Sequence, residues 1–169
     1  PRKLASWTTL VARLRRRGVT VSWDFGWNES LAADEGLAAL IDTLDLVFLN
    51  ELEAPLYAHA SSLDDAYPRL RTARSNVVVK LGDEGSRWLR AEGDVVMPAP
   101  AVDAVDTTGA GDAFIGALAA ELRTGAALHD SVLVAVRAAA LSVTRHGTMP
   151  AFPDRDELAS FDGGALTWR

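Results

Sequence analysis

The chain has 169 residues, 49% of them hydrophobic and 24% charged, and it contains no cysteine. That is enough apolar material for one real core, and it excludes disulfides and thiolate metal sites. The 23 acidic residues outnumber the 17 basic ones, giving a formal charge of −6, which argues against the basic surface that nucleic acid requires. No apolar run reaches membrane-spanning length and no signal-peptide pattern is present. The expectation is a cytoplasmic protein whose partners include neither membrane nor nucleic acid.

In chain order, Leu4, Trp7, Leu10, Val11 and Leu14 recur at helical spacing and stop before Gly18, predicting an amphipathic helix over about Leu4 to Arg17. Its basic end, with Arg13, Arg15, Arg16 and Arg17, suits the negative pole of a helix dipole. Val19 to Trp23 alternates as a strand and delivers Asp24. Asn28 or Ser30 caps the next helix, whose apolar face is Leu37, Leu40, Ile41 and Leu44. Leu46 to Leu49 is an unbroken apolar run, as expected of a strand covered on both faces, and delivers Asn50. Pro55 is expected to interrupt any helix begun at Asn50, with a less regular helix over Ala58 to Arg74 burying Leu63, Ala66, Tyr67 and Leu70. Asn76 to Leu81 is a third buried strand and delivers Gly82. Ser86 to Ala91 and Asp94 to Met97 read as a hairpin. Alanine-rich helices follow over Gly111 to Thr124 and about Ser131 to Thr144, both expected to be buried close to the sheet.

This alternation predicts an α/β fold with a parallel, doubly wound sheet and a hairpin at one edge. Ligands of such sheets gather beyond the carboxyl ends of the strands, where three strands present Asp24, Asn50 and Gly82. The five tryptophans, Trp7, Trp23, Trp27, Trp88 and Trp168, are too dispersed for a cofactor box, and most are expected in the core or under cover. His59 and His129 have no metal-ligand spacing, and His146 reads as a dipole partner at a helix end.

The chemistry concentrates in Asp106-Thr107-Thr108-Gly109-Ala110-Gly111-Asp112-Ala113-Phe114. Two glycines and an alanine let consecutive N–H groups face one point, and the helix start adds unpaired donors and a positive dipole end. The expected anion is a phosphoryl group, with Gly109, Ala110 and Gly111 as donors. Asp112 would repel a bound phosphate, and it makes sense as the base that takes a proton from an attacking hydroxyl. The competing interpretation is a glycine turn with Asp112 as a first-turn dipole partner. It explains neither the two aspartates flanking the loop nor the paired threonines.

This segment resembles the C-terminal signature of the ribokinase family, the PfkB-type carbohydrate kinases. The resemblance implies a ribokinase-like, Rossmann-like fold, with a mostly parallel sheet flanked by helices. Residues 1–169 would form the nucleotide-binding and catalytic C-terminal portion, the N-terminal substrate and lid portion lying outside this sequence. That the chain opens on Pro1 and on a helical pattern agrees with this expectation. Asn50-Glu51-Leu52-Glu53 resembles the family's Asn-x-x-Glu element, implying that Asn50 and Glu53 organise Mg²⁺ and nucleotide phosphates through water. Taken alone, Asn50 is as good a strand-end cap and Glu53 a solvated helix residue. Lys80 to Gly85 sits where the family's Gly-x-x-Gly segment meets ATP, which implies nucleotide contacts at Lys80, Gly82, Asp83 and Gly85, and at Gly111. A plain tight turn explains the same residues equally well. By the same resemblance Asp106, Thr108, Ser142, Arg145 and Gly147 surround a monovalent cation such as K⁺, mostly through main-chain oxygens. The Asp24-Phe25-Gly26-Trp27-Asn28 loop departs from the family's Asp-x-Asn-x-Arg, leaving its role open.

The activity implied is ATP-dependent transfer of the γ-phosphate to a hydroxyl of a sugar or sugar-like alcohol. Two alternatives stand beside it: a nucleotide-binding or regulatory domain without transfer, and a nucleoside- or vitamin-type kinase of the same fold. The implied partners are nucleotide and a small-molecule sugar, together with homodimer formation or pairing with the missing N-terminal half. A half-sheet should leave an unpaired edge strand and exposed apolar surface.

Overall fold

The computed structural model describes residues 4–72 and 74–161. Elements follow in the order α1 (Leu4–Arg15), β1 (Ser22–Asp24), α2 (Glu29–Ala32), α3 (Leu37–Ile41), β2 (Leu46–Asn50), α4 (Glu53–Ala58), α5 (Leu63–Leu70), β3 (Asn76–Lys80), β4 (Ser86–Leu89), β5 (Val95–Met97), α6 (Ala110–Arg123), α7 (Leu128–Ser142) and α8 (Arg155–Ser160). Trp168 lies outside the described residues.

The strands form a five-stranded sheet in the order β1-β2-β3-β4-β5. The first three are parallel and in register, with Asp24 beside Phe48 and Asn50 beside Lys80. Only five residues join β4 to β5, too few for a parallel crossover, so the pair is a hairpin at the sheet edge. The described strands run in chain order without the reversal a doubly wound sheet needs. Two successive right-handed crossovers therefore put their helices on one face. The core confirms it: Val47, Leu49, Val77 and Val79 pack with Leu37, Leu40, Ile41, Ala54, Tyr57, Ala66 and Leu70. Phe48 and Val78, pointing the other way, are buried as well.

Several boundaries move for identifiable reasons. β1 is shorter than its alternation suggests, pairing with β2 only over Ser22 to Asp24. Pro55 does not interrupt α4, because it sits in the first turn, where a missing N–H costs no helical bond. The long helix expected from Ala58 instead breaks at His59, which takes the left-handed conformation, and restarts under a Ser62 cap. Asn28 caps α2 by accepting from the Leu31 N–H at 2.9 Å. Trp7 and Trp27 are exposed, with Trp7 making an edge contact to Trp23 at 4.8 Å.

The chain divides into two compact units, Pro1–Leu81 with Arg87–Val95, and Gly82–Ser86 with Val96–Arg169. In the second, α6 and α7 pack on each other. Seven residues of α7 are buried but only Ala113, Phe114 and Leu118 of α6, so α6 is less enclosed than its apolar sequence predicts.

Candidate functional site

In the second unit the glycine loop opens α6. Gly109 caps the helix in the left-handed conformation, at φ +83°, with no side-chain cap. A Cβ there would lie 3.1 to 3.3 Å from Thr148 and Phe152, so both conformation and space demand glycine. Of the three amides expected to face an anion, one is already spent: the Ala110 N–H donates to the Thr107 carbonyl at 3.2 Å, closing a tight turn. Ala110 therefore has no free amide to offer a ligand. Among the described residues the N–H groups of Gly109, Gly111 and Asp112 have no internal partner. They are open donors at the positive end of a 14-residue helix. The Asp112 side chain is exposed at this mouth. It also heads a groove of about 320 Å³ lined by Ala113, Gly116, Ala120, Ala138 and Phe152, with the Arg155–Glu121 pair at its side.

Asp106 holds the loop in place. Its Oδ1 accepts from the Thr108 N–H at 3.0 Å and its Oδ2 from the Gly147 N–H at 2.9 Å, tying the loop to the segment after α7. Hydrogen bonds from Thr108 and Gly147 hold its carboxyl down at about 2. The structure thus brings Asp106, Thr108 and Gly147 together. Ser142 is buried with its hydroxyl on the Ala139 carbonyl, and the Arg145 side chain pairs with Glu157 at 2.8 Å. Neither side chain is directed to Asp106, but the carbonyls of Ser142, Arg145 and Gly147 have no internal donor among the described residues. Unengaged carbonyls at a helix end suit a monovalent cation.

Gly82, at φ +58°, has open space where a side chain would be. Gly85 differs, because a Cβ would stand 2.1 Å from the Met97 carbonyl oxygen. Its bareness serves the chain's own packing whatever else it contacts. Asp83 lies in the 3₁₀ turn between them.

In the first unit, Asn50 and Glu53 satisfy each other. Asn50 Oδ1 accepts from the N–H groups of Leu52 and Glu53 at 2.9 and 2.8 Å, while Glu53 Oε2 accepts from the Asn50 N–H at 2.9 Å. This is the reciprocal bonding of a capping box. Glu53 is not solvated but 6% exposed, and burial pushes its carboxyl above the usual value. Below it, Tyr57 donates to the Gly26 carbonyl at 2.6 Å, and burial together with the Glu53 charge pushes its hydroxyl up to about 12. Lys80 reaches from β3 over the end of β2 to Asp24 Oδ2 on β1, at 2.9 Å. Sequence reading missed this pair, since 56 residues separate its members and no local spacing marks it.

The donor sets permit a limited test of the implied cations. Asn50 Oδ1 already accepts two bonds, so direct coordination by it is disfavoured. Among the described residues Glu53 Oε1 accepts no hydrogen bond, and it could hold a hydrated Mg²⁺ through water. Among the described residues no cluster of three His, Cys, Asp or Glu forms a conventional metal site. No described helix is long and apolar enough to cross a membrane.

Comparison with known proteins gives a consistent result. The family model described as pfkB family carbohydrate kinase matches residues 3–155. Aminoimidazole riboside kinase of Salmonella typhimurium is 40% identical over 108 residues, which are 60% of this chain and 34% of that protein. The structure of aminoimidazole riboside kinase from Salmonella enterica, complexed with aminoimidazole riboside and an ATP analog, superposes with a TM-score of 0.75 at 30% identity, covering 90% of this chain and 55% of that one. A double mutant of fructokinase from Vibrio cholerae O395, bound to fructose, ADP and potassium ion, gives 0.75 at 27% identity, covering 93% and 55%. The fold is ribokinase-like, and the chain spans about a third to a half of the length of these relatives.

Proposed function

From the premise that the chain belongs to the pfkB family of carbohydrate kinases, we propose that it is the nucleotide-binding and catalytic portion of an ATP-dependent phosphotransferase acting on a hydroxyl of a sugar or sugar-like alcohol. The observation that carries this reading is the mouth of α6, where the N–H groups of Gly109, Gly111 and Asp112 are unpartnered among the described residues and the Asp112 side chain is exposed. The amides of Gly109, Gly111 and Asp112 stabilise the charge that spreads over the transferred phosphoryl group. Asp112 takes the proton of the attacking hydroxyl as its oxygen bonds to the γ-phosphorus and the bond to the ADP leaving group breaks.

Gly82 offers open backbone for the nucleotide, with Asp83, Lys80 and Gly85 beside it in sequence. Mg²⁺, where bound, neutralises phosphate charge, and Glu53 would hold its water shell. K⁺ would be held by main-chain oxygens around Asp106 and Gly147, fixing the loop that aims the amides. The relatives act on a riboside in one case and bind fructose in another, so the acceptor is assigned only as a sugar or sugar-bearing alcohol.

The test is phosphorylation of an acceptor panel by this segment within a chain of full family length, with and without Asp112→Asn. Transfer to one acceptor, lost in the variant while nucleotide binding persists, supports the reading. Nucleotide binding with no transfer to any acceptor would favour a regulatory domain, and undiminished turnover in the variant would remove Asp112 from the mechanism.

A further inference from the structure

β1 stands at one end of the sheet, with β2 on one side and, among the described residues, no strand on the other. Edge strands are usually blunted by a proline, a bulge or an outward charge. Here the edge is Ser22-Trp23-Asp24, and the Asp24 carboxylate is turned across β2 to Lys80 at 2.9 Å, so its charge does not guard the free side. An apolar groove of about 400 Å³ runs beside this edge, lined by Trp7, Leu10 and Leu14 of α1 and by Val21 and Trp23. Trp7 is 40% exposed and Leu10 41%, one turn apart on a single ridge. An aromatic chain backs the groove: Trp7 meets Trp23 edge-on at 4.8 Å, Trp23 stacks on Phe25 at 5.1 Å, and Phe25 lies 5.3 Å from Tyr57.

The placement of α1 identifies what belongs there. Its Leu4 and Val11 join the core with Leu37, Leu40 and Ile41 of α3, and the two helices pack together, so α1 lies on the same face as the helices of both crossovers. Arg15 fixes its last turn to the segment before β2, bonding the Thr43 carbonyl at 3.0 Å and Asp45 at 3.1 Å. The steps from β1 to β2 and from β2 to β3 advance in one direction along the sheet. A helix on this face that feeds β1 makes a right-handed crossover only when the strand before it lies on the free side of β1. Such a strand runs parallel to β1 and covers the side where Trp7 and Leu10 stand exposed.

We propose that the free edge of β1 and the Trp7–Leu10 ridge form the surface on which the remainder of a family-length domain docks, its contact element an apolar strand parallel to β1 and joined to α1. The relatives contain chain enough to supply it, since the aminoimidazole riboside kinase structure is matched over only 55% of its length. A second copy of this chain fits less well. Two-fold pairing in the plane of the sheet sets β1 against β1 antiparallel over three residues, and it leaves α1 without the parallel strand that its hand requires. This docking does not depend on phosphoryl transfer at the mouth of α6.

The experiment compares the 169-residue chain with the same segment in a chain of full family length, by amide hydrogen exchange and thermal melting. Exchange at Ser22 to Asp24 should be about tenfold slower or more in the longer chain, while Val95 to Met97 at the other edge exchange alike in both. In the longer chain Leu10→Lys should lower the melting temperature by about 10 °C, because it places a charge in a covered apolar site. Val96→Lys, at a position 46% exposed on β5, should leave it unchanged. Both melting measurements use the longer chain alone and remain decisive if the shorter one does not fold. A neutral Leu10→Lys, equal exchange at β1 in the two chains, or protection gained at β5 instead would overturn the surface. Protection of β1 in the longer chain that disappears on dilution would assign the edge to a second copy and overturn it as well.

Discussion

Two carboxylates stand at the start of helices in this protein, and they are used in opposite ways. Glu53 is buried and folded back on the Asn50 N–H, with the Asn50 side chain returning the favour, so the turn between β2 and α4 is closed on itself. Asp112 is exposed, and the N–H groups around it lack internal acceptors. A closed turn stabilises the fold and leaves little bonding capacity for a ligand. An open one leaves donors unsatisfied until something charged arrives. The open turn is where the proposed reaction chemistry belongs, and at the closed one the proposed cation would be held only at a distance.

The sharpest way to break this contrast is Asp112→Asn in a chain of full family length. Phosphoryl transfer should fall by about 10²- to 10⁴-fold, as for loss of a general base, with melting temperature and nucleotide affinity nearly unchanged. A large loss of stability instead would make Asp112 a structural residue like Glu53.

Gly109→Ala attacks the frame of the open turn. It forces a Cβ into the left-handed region and against Thr148 and Phe152, and should cost about 2 kcal/mol in denaturant unfolding. A neutral result would show that the loop is free to relax. Asn50→Ala removes the cap from the closed turn and should cost about 1 kcal/mol by the same measurement. If it abolished nucleotide binding without touching stability, the closed turn would have to be reclassified as a ligand site.

The smallest effect concerns Asp106, whose carboxyl is held down at about 2 against an ordinary 3.8. A depressed carboxyl stabilises the fold only while ionised. Its contribution is therefore complete above about pH 4 and disappears as the pH falls through about 2. Melting temperature followed across this window should decline less in Asp106→Asn than in the parent. Equal declines would show that the Thr108 and Gly147 contacts do not hold the loop.

Much of this was legible in the chain. Period and composition placed the three parallel strands and both long helices, because apolar spacing follows directly from the geometry of each element. The glycine turn at the start of α6 was legible too, since two glycines before an apolar run mark backbone that a side chain would not allow. Pro55 was misread because its effect depends on its position within a turn that sequence alone does not mark. Strand order was illegible for a related reason: the alternation of strand and helix does not reveal which strands lie side by side.

What the sequence determined by itself is thus most of the elements and the bare backbone of the loop before α6, both products of local spacing and of residues that permit unusual backbone. Only the tertiary structure decided that Ala110 spends its amide on Thr107, that Lys80 crosses β2 to Asp24, and that Glu53 is largely buried. Donors and charges are claimed by whichever group the fold brings within about 3 Å, and that neighbour can lie anywhere along the chain.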